Sequence, residues 1–262
     1  MNLNLSGKTA VVCGSTQGLG FASALELALL GANVVLMARN EERLLAAVQQ
    51  LHAGPDQKHS YLVADFAEPT QVQRAIDSLL SHSPQVHILV NNTGGPGGGT
   101  ALAATTDEFL QAFNSHLICN QILTQAVVPG MKAASFERII NIISTTVKSP
   151  IVGLGVSNTI RAAVANWSKT LSLELGPYGI TVNNVLPGFT KTGRADYVIE
   201  KKAAATNKTK ETVLEELVAE IPVGRMGEPA EFGAAVAFLA SPAAAYINGI
   251  NLPVDGGRLQ CL

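Results

Sequence analysis

Lys8-Thr9-Ala10-Val11-Val12-Cys13 runs without a break into Gly14-Ser15-Thr16-Gln17-Gly18-Leu19-Gly20. The order of these two pieces decides the fold. The first is a short, continuous apolar run, as expected of a strand covered on both faces. The second sets glycines at its first, fifth and seventh positions, and Phe21 to Leu30 then carries helical spacing up to Gly31. A strand, a glycine turn and a helix open a βαβ unit. Glycine allows the tight turn and lets the backbone approach a pyrophosphate, while the helix start offers unpaired N–H groups and a positive dipole end. A glycine pattern alone carries little weight. Placed between a strand and a helix in the first βαβ unit, it points to a dinucleotide.

The same alternation continues outward. Asn33–Ala38, Tyr61–Ala64, His87–Val90, Arg138–Ile143, Ile180–Leu186 and Ile250–Val254 read as further strands. Glu41–His52, Pro69–Ser81 and a single long segment, Thr106–Met131, read as helices, and another long helix opens at Ser157. This predicts one α/β domain over residues 1–262, a doubly wound parallel sheet of seven strands with the Rossmann arrangement. Gly193 to Glu220 interrupts the pattern with Lys201, Lys202, Lys208 and Lys210 followed by Glu211, Glu215, Glu216 and Glu220. It reads as a solvated amphipathic helix, placed where a lid-like insertion near residues 190–225 would cover a cleft.

Composition excludes several functions. A net charge of −2 gives no basic field for nucleic acid or an anionic membrane. No apolar stretch reaches spanning length. Met1 to Lys8 lacks the apolar core of a secretory signal, so a cytoplasmic location is expected. The 3 cysteines, Cys13, Cys119 and Cys261, fit neither a metal spacing nor a disulfide framework, so no metal is expected.

The end of the second strand selects the dinucleotide. An NAD site places Asp or Glu there for the ribose 2′-hydroxyl. Here the strand ends Leu36-Met37-Ala38-Arg39-Asn40, with no carboxylate before Glu41. Arg39 can clamp a 2′-phosphate with its planar fork, and Ser15 can add a hydrogen bond. NADP(H) is therefore expected over NAD(H).

Further motifs follow in order. They are Asp65 after the third strand, Asn91-Asn92-Thr93-Gly94 after the fourth, Asn114 in the next helix, and Ser144 after the fifth strand. Asn183, Pro187-Gly188 with Thr190 and Thr192, and Asp255-Gly256-Gly257 complete the set. Together with Gly14, Gly18 and Gly20, the chain resembles a short-chain dehydrogenase/reductase, in the 3-oxoacyl-(acyl-carrier-protein) reductase-like branch. The resemblance covers nearly the whole length. It implies that Asp65 and Phe66 lie beside an adenine and that Asn91 stiffens a sheet edge near the adenosine. It also implies that Leu19, Thr93, Gly94, Pro187, Gly188, Thr190 and Thr192 line the nicotinamide and phosphate path. A homodimer or homotetramer is implied too, formed through the helix with small residues Ala162, Ala163 and Ala165 and through the last strand.

The resemblance assigns chemistry to four positions, of which Asn114 and Ser144 match the family. The serine would hydrogen-bond the substrate carbonyl oxygen and the asparagine would position water in a proton relay. The other two positions hold tyrosine and lysine in that family. Counting back from Asn183, Leu186 and Pro187 needs no gap, so Ser157 and Arg161 stand in their place. An aliphatic hydroxyl is a far weaker acid than a phenol with pKa ~10. Arg161 keeps a cation able to grip ribose hydroxyls but cannot carry a proton. The expected activity is NADP-dependent reduction of a ketone or 3-oxoacyl carbonyl, or oxidation of the matching alcohol, with an altered proton donor. The alternative is a cofactor-binding relative with little turnover, a sensor or partner subunit. Other donors weighed are His116, expected on a different helix face from Asn114 and so in a core or interface, with Lys148, Thr145, Thr146, Tyr178 and Tyr197. Gly94–Thr100, Thr145–Val156 and Phe189–Tyr197 would line a moderately hydrophobic cleft.

Overall fold

Seven β-strands hydrogen-bond into one parallel sheet in a computed structural model that describes residues 1–83, 85–134 and 136–261. The expected domain bound at Leu262 lies outside the described residues. The strands are β1 (Thr9–Cys13), β2 (Asn33–Ala38), β3 (Ser60–Val63), β4 (Ile88–Asn91), β5 (Glu137–Ile142), β6 (Ile180–Pro187) and β7 (Asn251–Val254). Their spatial order is β3-β2-β1-β4-β5-β6-β7. The order reverses between β1 and β4, which opens a crevice at the carboxyl ends of those strands.

The apolar runs lie where both faces of the sheet are covered. Val12, Leu36, Val90 and Ile140 project to one side, under α1 (Gly18–Leu29) and the helix Pro229–Ala240. Val11, Met37, Leu89 and Ile139 project to the other, under helices that include α3 (Pro69–His82). Strict alternation of side chains along a strand produces this division. Between β2 and β3, α2 (Glu41–Val48) stops short of the expected His52.

The expected continuous helix over Thr106–Met131 is two helices, α4 (Thr106–Phe113) and α5 (Cys119–Lys132), joined by a π-helical turn at Asn114–Ile118. Such single wide turns recur at functional sites. After β5 come a 3₁₀ turn, Thr145–Val147, and the long helix α6 (Gly155–Leu175). The charged insertion is likewise two helices, α7 (Gly193–Thr206) and α8 (Lys210–Ala219), turned by Asn207 at φ +52°. Ile199, Ala203, Val213 and Leu217 form a small core of their own beside Phe189. Glu200–Lys210 and Lys208–Glu216 pair on the exposed side, so the amphipathic reading of the segment holds. The helix Pro229–Ala240 is α9.

Four asparagines occupy one row of the sheet. Asn91, Asn141, Asn184 and Asn251 are direct partners across β4, β5, β6 and β7. Asn91 Nδ2 donates to Asn141 Oδ1 (2.9 Å), Asn141 Nδ2 to Asn184 Oδ1 (3.0 Å), and Asn184 Nδ2 to Asn251 Oδ1 (2.8 Å). Asn141 Nδ2 also donates to Ser168 Oγ on α6 (3.1 Å). Asn91 therefore stiffens the middle of the sheet, not an edge: β4 is the central strand of the seven.

Candidate active site

The glycine turn is built by close approach. Gly14 sits at φ +55°, and a Cβ there would lie 2.7 Å from Asn92 Nδ2 and 2.9 Å from Asn92 O. A Cβ on Gly20 would lie 2.3 Å from the carbonyl oxygen of Gly14. Asn92 Nδ2 donates to the carbonyls of Cys13 (3.2 Å) and Gly14 (3.1 Å), which pins the turn to the segment after β4. Gln17, which precedes α1, makes no capping bond, and the first turn of α1 holds no acid. Its N–H groups and positive end are thus left for an anion. Leu19 packs its side chain toward the sheet.

The expected role of Ser15 is corrected. Its side chain is fully buried and Oγ accepts from the Met37 N–H (3.1 Å), tying the turn to β2. Thr16 is the half-exposed hydroxyl of the loop. Arg39 stands exposed at the end of β2 and joins no ion pair among the described residues. The next two polar groups are committed: Asn40 Oδ1 caps α2 through the Arg43 N–H (2.8 Å), and Glu41 accepts from the Tyr61 hydroxyl (2.9 Å). No carboxylate is therefore offered to a ribose 2′-hydroxyl at this strand end.

The remaining expected contacts line the same crevice. Asp65 is half-buried, and Oδ1 accepts from the Ala67 N–H (3.0 Å). The Phe66 side chain is in the core, and its carbonyl accepts from the buried Cys119 thiol (3.4 Å). Thr93 is half-buried and Gly94 exposed just beyond β4. Pro187 ends β6, and a Cβ on Gly188 would lie 2.4 Å from Asp255 Cα. Thr190 is buried and donates to Gly188 O (3.4 Å). Thr192 Cγ2 lies 3.8 Å from where a Cβ on Gly18 would be, so this segment and the glycine turn face each other. Asn183 is structural: Nδ2 donates to Ile247 O (2.8 Å) and Oδ1 accepts from the Ile250 N–H (3.2 Å). These residues fit a dinucleotide: a bare glycine turn that a single methyl would fill, an uncapped helix start, and a free guanidinium.

The candidate catalytic groups converge beside this cleft. Ser144 follows β5 and its Oγ accepts from the Thr146 N–H (3.1 Å), which leaves its own proton free to donate. Asn114 opens the π-helical turn and is half-buried. Ser157 is half-buried in the first turn of α6, with Arg161 one turn on. α6 packs against both the π turn and the 3₁₀ turn, and so joins the four residues in one region. Arg161 is only 8% exposed, and its Nη1 donates to the carbonyl of Ile142 (2.9 Å), two residues before Ser144. Burial, and secondarily the positive charge of Arg194, lower its pKa to about 10. It remains charged at neutral pH.

His116 is buried, as expected, on a face that does not carry Asn114, and it also lines a cavity of about 320 Å³ with Gly94, Gly95, Ser115 and Val156. Burial, then the nearby charge of Arg161, hold its pKa well below the usual histidine range, so the ring is neutral. Lys148, another weighed donor, is half-buried just after the 3₁₀ turn. Thr145 and Thr146 are buried, Tyr178 lies under Lys132 (4.0 Å), and Tyr197 is exposed on α7 between Arg194 (5.3 Å) and Lys201 (5.7 Å). Among the described residues no cluster of His, Cys, Asp or Glu could hold a metal, and no helix is long and apolar enough to cross a membrane. Asn92 was read only as part of a motif and given no role, and Thr16 and Arg194 were not singled out by the sequence reading. For Asn92 a signal was present, in the paired asparagines ending an apolar run.

Comparison with known proteins agrees with this geometry. Residues 14–258 match the family described as Enoyl-(Acyl carrier protein) reductase. The chain is 33% identical over 255 residues to the 3-oxoacyl-(acyl-carrier-protein) reductase FabG of Pseudomonas aeruginosa, covering 97% of this chain and 98% of that protein. The structure of L-sorbose reductase from Gluconobacter frateurii, complexed with NADPH and L-sorbose, aligns with a TM-score of 0.93 at 30% identity over 100% of both chains. YwfH, an NADPH dependent reductase involved in bacilysin biosynthesis, aligns with a TM-score of 0.93 at 29% identity, covering 98% of this chain and 100% of that one. With the family match over residues 14–258, relatives above 30% identity along nearly its whole length, and the same fold, the chain belongs to the short-chain dehydrogenase/reductase family of oxidoreductases.

Proposed function

We propose that the protein is an NADP-dependent reductase of a ketone or 3-oxoacyl carbonyl, with Ser157 and Arg161 in the positions where relatives of this family carry tyrosine and lysine. The observation that carries this reading is the convergence of Ser144, Asn114 and the start of α6 beside an intact glycine cradle. Bound NADPH supplies a hydride. Arg39, free of any carboxylate, holds the 2′-phosphate, and the open start of α1 takes the pyrophosphate. Ser144 donates its free hydroxyl hydrogen to the carbonyl oxygen and steadies the charge that develops there.

The proton route differs from that of a phenol. General acid catalysis contributes about 10²–10⁴-fold, or ~3–5 kcal/mol of barrier. A serine hydroxyl supplies less of it. Asn114 at the widened turn would hold a water that takes a proton from solvent as it passes one to the Ser157 hydroxyl, which gives its own to the substrate oxygen. Arg161 contributes a fixed positive field but moves no proton. The homo-oligomer and cytoplasmic expectations belong to this same proposal; a light-scattering mass equal to a monomer would remove the first.

The test is NADPH oxidation against a panel of ketones and 3-oxoacyl thioesters. Expected are turnover by the natural protein and a loss of about 10²–10³-fold in kcat for Ser144→Ala. A natural protein silent on the whole panel, beside an active Ser157→Tyr/Arg161→Lys variant, would overturn the reading in favour of a cofactor-binding relative with little turnover.

A further inference from the structure

Two cations face one bare glycine. Arg161 on α6 and Arg194 in the first turn of α7 place their Nη2 atoms 3.9 and 3.8 Å from the point where a Cβ on Gly95 would lie. Because Gly95 has no side chain, that point is open space between two guanidinium groups. Arg161 is more than nine-tenths buried, and its Nε has no hydrogen-bond partner. Arg194 crosses from α7 to the loop after β4, where it donates to the carbonyl of Pro96 (3.0 Å).

Nothing in the described chain neutralises this pair. None of the ion pairs among the described residues involves either arginine. Glu108 lines the adjoining cavity, but its Oε2 is taken by the backbone N–H and hydroxyl of Thr105 (2.8 and 3.2 Å). His116 in the same cavity is neutral. A buried guanidinium without a counter-charge is costly, and a second cation beside it adds to the cost. An anionic oxygen pair set over Gly95 removes both penalties, because a guanidinium fork matches a carboxylate.

We infer that Arg161 and Arg194 seat a carboxylate of the substrate, so that the carbonyl compound taken by this cleft is an oxo acid. The inference deepens the reductase reading above and rests on it. The position favours substrate over cofactor phosphate. The cavity beside Gly95 is walled by Ser115 and His116, which follow Asn114, and by Val156, which precedes Ser157. The groups suited to the diphosphate, at the start of α1 and at Thr192, face each other across the glycine turn instead.

Two measurements test this. The first compares reduction of acetoacetate and methyl acetoacetate by the natural protein, Arg194→Gln and Arg194→Lys. Arg194 is exposed, so its variants fold; Arg161→Lys serves as the conservative change at the buried position. The second titrates malonate, a carboxylate with no carbonyl to reduce, into the NADP-bound protein by calorimetry, and titrates NADPH separately by fluorescence. Expected are a preference of tenfold or more for the acid over the ester, at least a tenfold rise in KM for acetoacetate in Arg194→Gln with partial rescue in Arg194→Lys, and loss of malonate binding with NADPH affinity unchanged. Equal use of acid and ester without malonate binding would overturn the carboxylate seat and leave the reductase reading intact. Malonate binding that Arg194→Gln abolishes, in a protein that reduces no carbonyl, would uphold the seat and sink the reductase reading. NADPH affinity falling in Arg194→Gln as far as malonate affinity would assign the pair to the cofactor and overturn the inference.

Discussion

Asn141→Ala is expected to be among the most destabilising single changes in the sheet. Asn141 is fully buried and makes three side-chain bonds, accepting from Asn91 Nδ2 (2.9 Å) and donating to Asn184 Oδ1 (3.0 Å) and Ser168 Oγ (3.1 Å). The Ser168 hydroxyl can turn to a carbonyl of its own helix and recover a partner. The two amides cannot, since each is held in a covered strand. A buried polar group left unpaired costs ~1–3 kcal/mol, so the two together cost about 2–6 kcal/mol, and the truncated volume adds to that. The expected loss is about 3–5 kcal/mol, which for a chain of this size lowers Tm by roughly 6–20 °C. Urea unfolding at fixed protein concentration measures it as a fall in midpoint with an unchanged slope. Asn251→Ala is the control, because Asn251 is exposed and takes part in a single ladder bond; it should cost about 1 kcal/mol or less. Equal losses for the two variants would refute the ladder as a buried, coupled network. The consequence reaches function: Asn91 is followed by the Asn92 that pins the glycine turn, while Asn141 and Asn184 each lie three residues before Ser144 and Pro187.

Gly20→Ala places a methyl 2.3 Å from a backbone carbonyl that cannot rotate away, so the turn must open. A stability loss of about 1–3 kcal/mol and at least tenfold weaker NADPH binding by fluorescence titration are expected, and unchanged binding would contradict the cradle. Arg39→Ala should weaken NADPH by roughly 10–100-fold and leave NADH nearly unaffected, the worth of a charge-assisted bond to a phosphate; an equal effect on both would remove Arg39 from the 2′-phosphate. Burial raises the Glu137 carboxyl to about 8, against the lowering pull of Lys8 and Arg138. The folded state therefore keeps a proton that the unfolded chain releases near 4.5, so this stabilising contribution is complete below that pH and is lost as pH rises through about 8. Glu137→Gln should gain on the natural protein progressively between those two values, and urea midpoints that stay parallel from pH 5 to 8.5 would refute the shift.

What was legible in the sequence, and what was not, divides along physical lines. The seven strands were readable because each is a short, largely apolar run, and strand bounds such as Asn33–Ala38 agree with the structure. The glycine turn was readable because each glycine answers a local demand of the backbone. The π turn was not. Asn114–Ile118 keeps a helical composition, and no residue in it marks the one extra position in the turn. The asparagine ladder left a trace, a polar residue inside Ile140-Asn141-Ile142 and again inside Val182-Asn183-Asn184-Val185, where a doubly covered strand should be apolar. Its meaning needs the register, which joins residues tens of positions apart. Ser15 and Thr16 were indistinguishable until the path of the turn showed which hydroxyl met Met37.

Arg161 ties these threads together. A lysine presents one ammonium, and its use beside a phenol is to make that phenol a stronger acid. With a serine four residues earlier, there is no phenol to act on. A guanidinium instead divides its donors: Nη1 holds the carbonyl of Ile142, which ties α6 to the end of β5, while Nη2 turns toward Gly95 and Arg194. The same cation thus positions the scaffold and directs charge at the space a substrate would fill. An arginine fits that task, because its rigid fork spreads five donors in fixed directions, so that one edge can serve a backbone carbonyl while another faces an external anion. On the proposed reading, serine and arginine at these two positions answer one requirement, a site that binds charge on its substrate more strongly than it delivers a proton to it.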